Sequence, residues 1–176
     1  MKALATALLV LVTACGQGHL ILNVDVLSFF SSSDSTTSYN VPGGIPPVDS
    51  TITGRVILPP GLGKSSVDSV TATGAAVIQN ATGSGNVTFS VFFAKTQGAL
   101  FTGTPYLTAA SGPISGAQTV QLLPPTTVSL ADTVFNTDSL WVGIRARIST
   151  NVGPNMTGQL RITTLGLRIV VQDKVF

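Results

Sequence analysis

Apolar residues recur at every second position in short runs along this chain, and no run beyond the first 16 residues has a helical period. The clearest run is Asn86 to Lys95, which places Val87, Phe89, Val91 and Phe93 on one side. Glycine, proline and asparagine separate the runs. This pattern predicts an all-β fold, an antiparallel β-sandwich of about seven to nine strands that is either immunoglobulin-like or jelly-roll-like.

The composition favours the same fold class. Charged residues make up 9% of the chain, against about 25% in an average domain. All 7 acidic residues are aspartate, so glutamate, which favours helices, is absent, whereas valine and threonine, which favour strands, are common. The formal net charge is +2, and the basic residues do not cluster as nucleic-acid binding requires. We therefore expect no nucleic-acid partner.

The alternating pattern also predicts where the strands lie and where they are interrupted. Residues 97–116, rich in glycine and proline, are predicted to be loop-like, and the Ser/Thr/Pro/Gly-rich residues 31–50 are predicted to be a loop or linker. Strands are predicted over residues 19–30, 51–58, 67–79 (which could be two short strands), 86–95, 119–123, 127–130, 139–149 and 158–172.

The last of these strands changes phase. Leu160 and Ile162 share one parity, but the apolar residues from Leu165 onward share the other. A single regular strand cannot keep both sets on one face, because a slip of one residue reverses every side chain. The sequence therefore predicts a bulge or break near Thr163-Thr164.

The first 16 residues have the form of an export signal. Lys2 precedes an apolar stretch from Ala3 to Ala14, which is too short to span about 30 Å of hydrocarbon as a helix. Val12-Thr13-Ala14 then leads into Cys15, the only cysteine of the chain. This arrangement resembles the signal sequence and lipobox of bacterial lipoproteins. A conventional cleaved signal peptide and a retained apolar segment are the alternatives.

The resemblance covers residues 1–16 and implies a domain organisation. Residues 1–14 would be removed as the signal peptide, Cys15 would carry acyl chains such as palmitate, and residues 15–18 would form a lipid-anchored tether. Residues 19–176 would then be a single β-sandwich, for which no family is recognised. Several acyl chains would attach the protein stably to a membrane. Gly16, rather than aspartate, follows the cysteine and favours the outer membrane or cell surface over the inner membrane.

The best candidate ligand face lies on the predicted strand at residues 139–149. Trp141, Arg145 and Arg147 share one parity, opposite apolar residues that would face the core. A tryptophan beside two arginines can stack on a sugar ring or bind a carboxylate. The alternative is a solvated sheet face on which the arginine stems cover the indole.

The sequence offers few residues suited to catalysis. The single histidine, His19, lies four residues after the predicted anchor, so no enzyme activity, cofactor or metal site is expected. Asp132, Asn136 and Asp138 could offer oxygen ligands to calcium, but such residues also form turns through their own side chains. A turn is the preferred interpretation.

Three functional hypotheses follow. The first is a membrane-anchored envelope lipoprotein with a non-enzymatic structural or protein-interaction role. The second is a β-sandwich that binds an envelope glycan or small solute through the Trp141 face, and the third is an uncharacterised hydrolase. No feature of the sequence specifies an oligomeric state.

Overall fold

The computed structural model describes residues 18–58 and 66–173, so the predicted lipidation residue Cys15 lies outside the described residues. Within these ranges, 3-10 helices occupy Val26–Phe29, Gln97–Ala99 and Thr133–Phe135. The strands are β1 (Gly18–Asp25), β2 (Thr36–Val41), β3 (Val48–Ile57), β4 (Ser66–Thr82), β5 (Ser84–Ala94), β6 (Leu107–Ala110), β7 (Ile114–Ser115), β8 (Gln118–Leu122), β9 (Thr127–Leu130), β10 (Ser139–Thr150) and β11 (Met156–Asp173). No helix in the described ranges has the length and apolarity needed to cross a bilayer.

The strands form two antiparallel sheets that pack face to face. The first sheet has the order β1-β11-β4-β8, with β2 also paired to β11 and β9 also paired to β4. The second sheet has the order β3-β10-β5-β6, with β7 also paired to β5. A continuous apolar core fills the space between them, and Phe89, Phe135, Ile144 and Leu165 are among its fully buried side chains. The predicted all-β sandwich is confirmed.

The pairing pattern identifies the sandwich as a jelly roll. β1 and β2 pair in succession with β11, β6 and β7 with β5, and β8 and β9 with β4. Two short strands that pair in succession with the same long strand occupy one strand position of the sandwich. The eleven described strands therefore fill eight positions, within the predicted seven to nine. The first position pairs with the eighth, the second with the seventh, the third with the sixth and the fourth with the fifth. This nested pairing is typical of the jelly roll rather than the immunoglobulin fold.

Two segments predicted to be loops contain strands. Residues 31–50 include β2 and the start of β3, and residues 97–116 include β6 and β7. Both predictions were therefore partly wrong. These segments are mostly polar, but each contains a few residues that are buried in the core, namely Tyr39 and Val41 in β2, Leu107 in β6 and Ile114 in β7. Such short strands persist because each pairs with a long neighbour.

The predicted phase change in the last strand is confirmed. The register of β11 against β4 shifts between Ile162 and Thr164. Leu160 and Ile162 before the shift, and Leu165 and Leu167 after it, are all buried. The irregularity therefore lets one 18-residue strand keep both apolar sets on the core side.

A buried, hydrogen-bonded pair of polar side chains, Tyr39 and Asn80, joins three strands of the first sheet. Tyr39 and Asn80 both lie opposite Gly158, from β2 and β4 respectively. The Tyr39 hydroxyl donates to Oδ1 of Asn80 at 2.9 Å, and Nδ2 of Asn80 donates to the carbonyl of Gly116 at 2.7 Å. A Cβ on Gly158 would lie 2.5 Å from the tyrosine oxygen, so glycine is required for the ring to cross β11.

The two tyrosines of the chain provide a test of this packing. Burial raises the pKa of Tyr39 from 10.0 to about 12. Burial, together with the hydrogen bond that Tyr106 donates to Asp132, also raises the pKa of Tyr106. Tyrosinate absorbance of the native protein should therefore show no ionisation near pH 10.0, whereas both groups should titrate there in denaturant.

The raised pKa values of the two tyrosines also make the free energy of unfolding depend on pH. Because both folded pKa values lie above the unfolded value, this contribution to the free energy of unfolding is complete below pH 10.0 and declines as the pH rises above it. The Tyr39→Phe variant assigns the remaining signal to Tyr106. A native tyrosine that ionises near its ordinary pKa would contradict the described burial.

Candidate binding surfaces

The predicted ligand residues share the outer face of the second sheet. Leu140, Val142, Ile144 and Ile148 point into the core, as their parity predicts, while Trp141, Arg145 and Arg147 lie on the opposite face. Trp141 lies in register with Arg55 of β3 and Ala94 of β5. Arg147 lies in register with Asp49 and Thr88. The structure therefore places the three residues along one strand face.

The segment that follows β5 packs back over this face. Phe92, Ala94 and Leu100 form a second, smaller buried cluster, against which Phe101 and Trp141 pack. The Phe101 ring lies directly over β10, because a Cβ on Gly143 would be 2.8 Å from it. Gly143 thus permits a close approach that a larger residue would obstruct. Trp141 is only partly exposed as a result.

The Arg145 guanidinium contacts two aromatic rings. Its guanidinium carbon lies 4.9 Å from the centroid of Phe92 and 4.8 Å from that of Phe101, within the range of a cation–π interaction. Its Nη2 donates to the Phe101 carbonyl at 3.4 Å. The two rings meet edge to face, with centroids 5.2 Å apart. The guanidinium that was expected to bind a ligand therefore fastens residues 95–106 to the sheet.

Asp49 links the two arginines electrostatically. Its carboxylate oxygens lie 4.0 Å from Nε of Arg145 and 3.8 Å from Nε of Arg147. The Nε of Arg145 is buried without a hydrogen-bond partner, so its contact with Asp49 is a long ion pair. The Arg147 side chain is 54% exposed, and it is the member of the predicted set most accessible to a ligand.

Sequence reasoning did not assign Phe92, Phe101 or Asp49 to this face. For Phe92 the signal was present, because a doublet of phenylalanines in a strand places one ring on each face. The position of Phe101 depends on how residues 95–106 fold back, which has no local pattern. Binding at the Trp141 face stays a prediction, now centred on Arg147 and the exposed part of the indole.

The outer face of the first sheet carries a shallow groove of about 500 Å³. Its floor is the backbone at Gly166, which lies in register with Asp25 of β1 and Thr73 of β4. The next cross-strand row contains Asn23, Arg168 and Thr71. Because glycine contributes no side chain, hydrogen-bonding groups surround an open floor.

A row of aliphatic side chains lies beside this groove. One cross-strand row contains, in order, Ile21 of β1, Val170 of β11, Ser69 of β4 and Leu130 of β9. Three of its four members are aliphatic. Ile21 is 48% and Leu130 is 77% exposed. Val128, in register with Thr71, is 60% exposed and extends the row toward the groove. We call Ile21, Val128, Leu130 and Val170 the aliphatic row.

The remaining predicted residues occupy ordinary positions. His19 is exposed near the start of β1. Asp132 caps the 3-10 helix Thr133–Phe135 by accepting a hydrogen bond from the Val134 amide at 2.9 Å, in agreement with the turn interpretation. Within the described ranges, no group of three histidine, cysteine or acidic side chains is arranged to hold a metal ion.

Comparisons with known proteins bear on the fold alone. No protein-family model and no curated protein matches the sequence. A chain in the structure of infectious bursal disease virus Gx strain is 11% identical, with a TM-score of 0.49; the match covers 92% of this chain and 35% of that one. This chain thus spans about a third of the virus chain.

Two further solved structures are similar at lower scores. TmCBM61, solved in complex with β-1,4-galactotriose, is 8% identical with a TM-score of 0.32, and the match covers 86% of each chain. A CocE/NonD family hydrolase from Staphylococcus aureus is 8% identical with a TM-score of 0.33, covering 88% of this chain and 37% of that one. These similarities are limited to an all-β architecture.

The two arginines of the Trp141 face should differ in their effect on stability. Arg145→Met should lower the free energy of unfolding by about 1–2 kcal/mol, because it removes the cation–π contacts with Phe92 and Phe101. Arg147→Met serves as the matched control and should change it by less than about 0.5 kcal/mol, because that side chain is mostly solvated. Urea unfolding of the two variants measures the difference, and equal effects would contradict a structural role for Arg145.

Proposed function

We propose that this protein is a lipid-anchored, non-enzymatic component of the bacterial envelope that binds a protein partner through the outer face of its first sheet. The lipobox-like sequence ending at Cys15 supports attachment to a membrane. The observation that carries the interaction role is the aliphatic row beside the groove at Gly166. Exposed apolar side chains grouped on one face of a folded domain are typical of interaction sites.

The chemical character of this face fits a protein partner. Exposed apolar side chains lie on both edge strands, Ile21 on β1 and Leu130 on β9, and the polar Ser69 and Arg168 lie on the inner strands between them. Interfaces between proteins combine apolar contacts with direct hydrogen bonds, and this face supplies groups for both. The strands of a sheet also hold these side chains in fixed register, so little conformational entropy is lost when they bind.

A non-enzymatic role is supported by the position of the only histidine. His19 is exposed near the first residues of β1, where no apolar wall shields it from water. A general base must lie within hydrogen-bond reach of a nucleophile and be held there by a third group. An exposed strand end offers neither condition.

Glycan binding is a second candidate function, favoured by the hydrogen-bonding groups around the groove. Asn23, Asp25 and Arg168 offer donors and acceptors above a backbone floor at Gly166, as a sugar polymer requires. Isothermal titration of soluble envelope glycans against the protein and against its Arg168→Ala variant tests this function. Heat of binding that the substitution abolishes would favour a glycan over a protein partner.

Replacement of Cys15 by serine should abolish membrane attachment. The serine hydroxyl cannot take the place of the thiol in thioether formation, so the variant should lack the mass of the acyl chains and leave the membrane fraction. Gln17→Ser is the control, because it changes a neighbouring residue outside the Val12-Thr13-Ala14-Cys15 motif. Fractionation followed by mass spectrometry of the N-terminal peptide measures both properties. Retention of the serine variant in membranes would refute the lipid anchor.

A photoreactive amino acid at Val128 should form one discrete adduct with a partner protein in intact cells, because this position lies within the aliphatic row. The same residue at Val152, which is 92% exposed far from the row, is the control and should form none. Arg168→Glu should weaken the Val128 adduct without loss of folding, since its side chain is exposed in the same cross-strand row as Val128. Equal adducts at both positions would exclude a specific interface on this face.

A further inference from the structure

The start of β1 defines one end of the jelly roll. Gly18 pairs with Asp173, and the neighbouring Gln172 pairs with Ser66, so β1, β11 and β4 meet at this end of the first sheet. In the second sheet, Ile57 pairs with Ser139. Residues 131–138 connect Leu130 of the first sheet to Ser139 of the second, which places both sheet ends together. We call this the proximal end.

The opposite end is formed by the connections at residues 42–47 and 151–155. These two loops pack against each other, because the Thr150 hydroxyl donates to the Pro42 carbonyl at 2.8 Å, and a Cβ on Gly43 would lie 2.2 Å from the Gly153 carbonyl oxygen. Val152 lies at this distal end and is 92% exposed. With 18 residues in β11 and about 3.3 Å per residue, the two ends are roughly 50–60 Å apart.

The length of chain between Cys15 and Gly18 limits how far the proximal end can lie from a membrane. Three residues span at most about 10 Å when fully extended. If Cys15 carries the lipid, as proposed above, the first residue of β1 must lie within that distance of the headgroups. The distal end is separated from the anchor by the full length of the sandwich.

The proximal end also presents bulky apolar side chains to solvent. Ile57 is 68% exposed and Leu130 is 77% exposed, and both lie at strand ends that face this direction. Exposed charges of both signs lie nearby, with Arg55 and Lys95 opposed by Asp68 and Asp138 among the described residues. Because these described charges balance, we expect apolar contact to contribute more than attraction to anionic lipid.

We propose that the proximal end rests on the lipid surface, with Ile57 and Leu130 in contact with it, while the distal loops point away from the membrane. This proposal depends on the lipid anchor. It also places the outer face of the first sheet upright above the bilayer, with the cross-strand row of Ile21, Val170 and Leu130 nearer the lipid than Val128. A partner that binds the aliphatic row would therefore approach from the side.

The chain is well suited to a test by single-site labelling. Cys15 is its only cysteine and would be consumed by the lipid, so an introduced cysteine is the one free thiol. Nitroxide labels at Ile57→Cys and Leu130→Cys report on the proximal end, and Val152→Cys is the matched distal control. All three positions are exposed, so the substitutions preserve folding, which circular dichroism verifies.

The labelled, lipidated full chain is placed in vesicles of phosphatidylcholine, with and without phosphatidylglycerol. Collision of each nitroxide with a water-soluble nickel chelate is compared in vesicles and in detergent. We expect the vesicles to shield the labels at positions 57 and 130 severalfold, to leave position 152 unchanged, and to show little dependence on anionic lipid.

Three outcomes would overturn the proposal in different ways. Equal nickel accessibility at positions 57 and 152 in a protein that carries the mass of the lipid would refute the orientation and leave the anchor intact. Absence of that mass would refute the lipid anchor, and the orientation with it. Shielding of position 152 alone would indicate that the domain is inverted.

Discussion

The pairing of β11 with β4 is the contact on which the first sheet depends. These strands contain 18 and 17 residues, and they pair along almost their whole lengths. The shorter strands β1, β2, β8 and β9 are each attached to one of the two. Hydrogen bonds from short, interrupted strands are weak in isolation, and they become stable because a long neighbour holds its backbone groups in place. Loss of the bulge near Thr163 would turn half of the buried side chains of β11 toward water.

The two outer faces of the sandwich are used differently. On the second sheet, residues 95–106 fold over β10, and the rings of Phe92 and Phe101 both contact Arg145. That face is therefore partly an extension of the core. On the first sheet, no described segment is packed over the row of Ile21, Leu130 and Val128, which stays exposed. This asymmetry is the reason that the proposed interaction surface lies on the first sheet, although its residues have no conspicuous motif.

The anchor and the fold together constrain the geometry of the protein at the membrane. Because β1 begins at Gly18, at most about 10 Å of chain separates the proposed lipid on Cys15 from the folded domain. Many anchored proteins use a long tether to explore the space above the bilayer. Here, a tether of three residues would fix the height of the domain and limit its tilt. A partner would then be selected by its position as well as by its surface.

The sequence by itself determined the properties that depend on local alternation. Period-two runs with glycine and proline between them specify strands, and parity along residues 139–149 correctly separates Leu140, Val142 and Ile144 from Trp141 and Arg145. The phase change at Thr163-Thr164 was likewise predictable, because a one-residue shift in parity has only a few structural solutions. The lipobox-like motif depends on contiguous residues, so it too can be recognised without a fold.

Only the tertiary structure decided which strands are neighbours. The choice between a jelly roll and an immunoglobulin-like fold depends on pairings between residues far apart in the chain, such as Gly18 with Asp173, and local patterns carry no information about them. The strand in residues 36–41 was missed for the same reason, since Tyr39 is buried through Gly158 and Asn80, which come from distant segments. The composition of each outer face also depends on strand pairing. Phe101 covers Gly143, and Ile21 lies in the same cross-strand row as Leu130, because the folded chain brings these segments together.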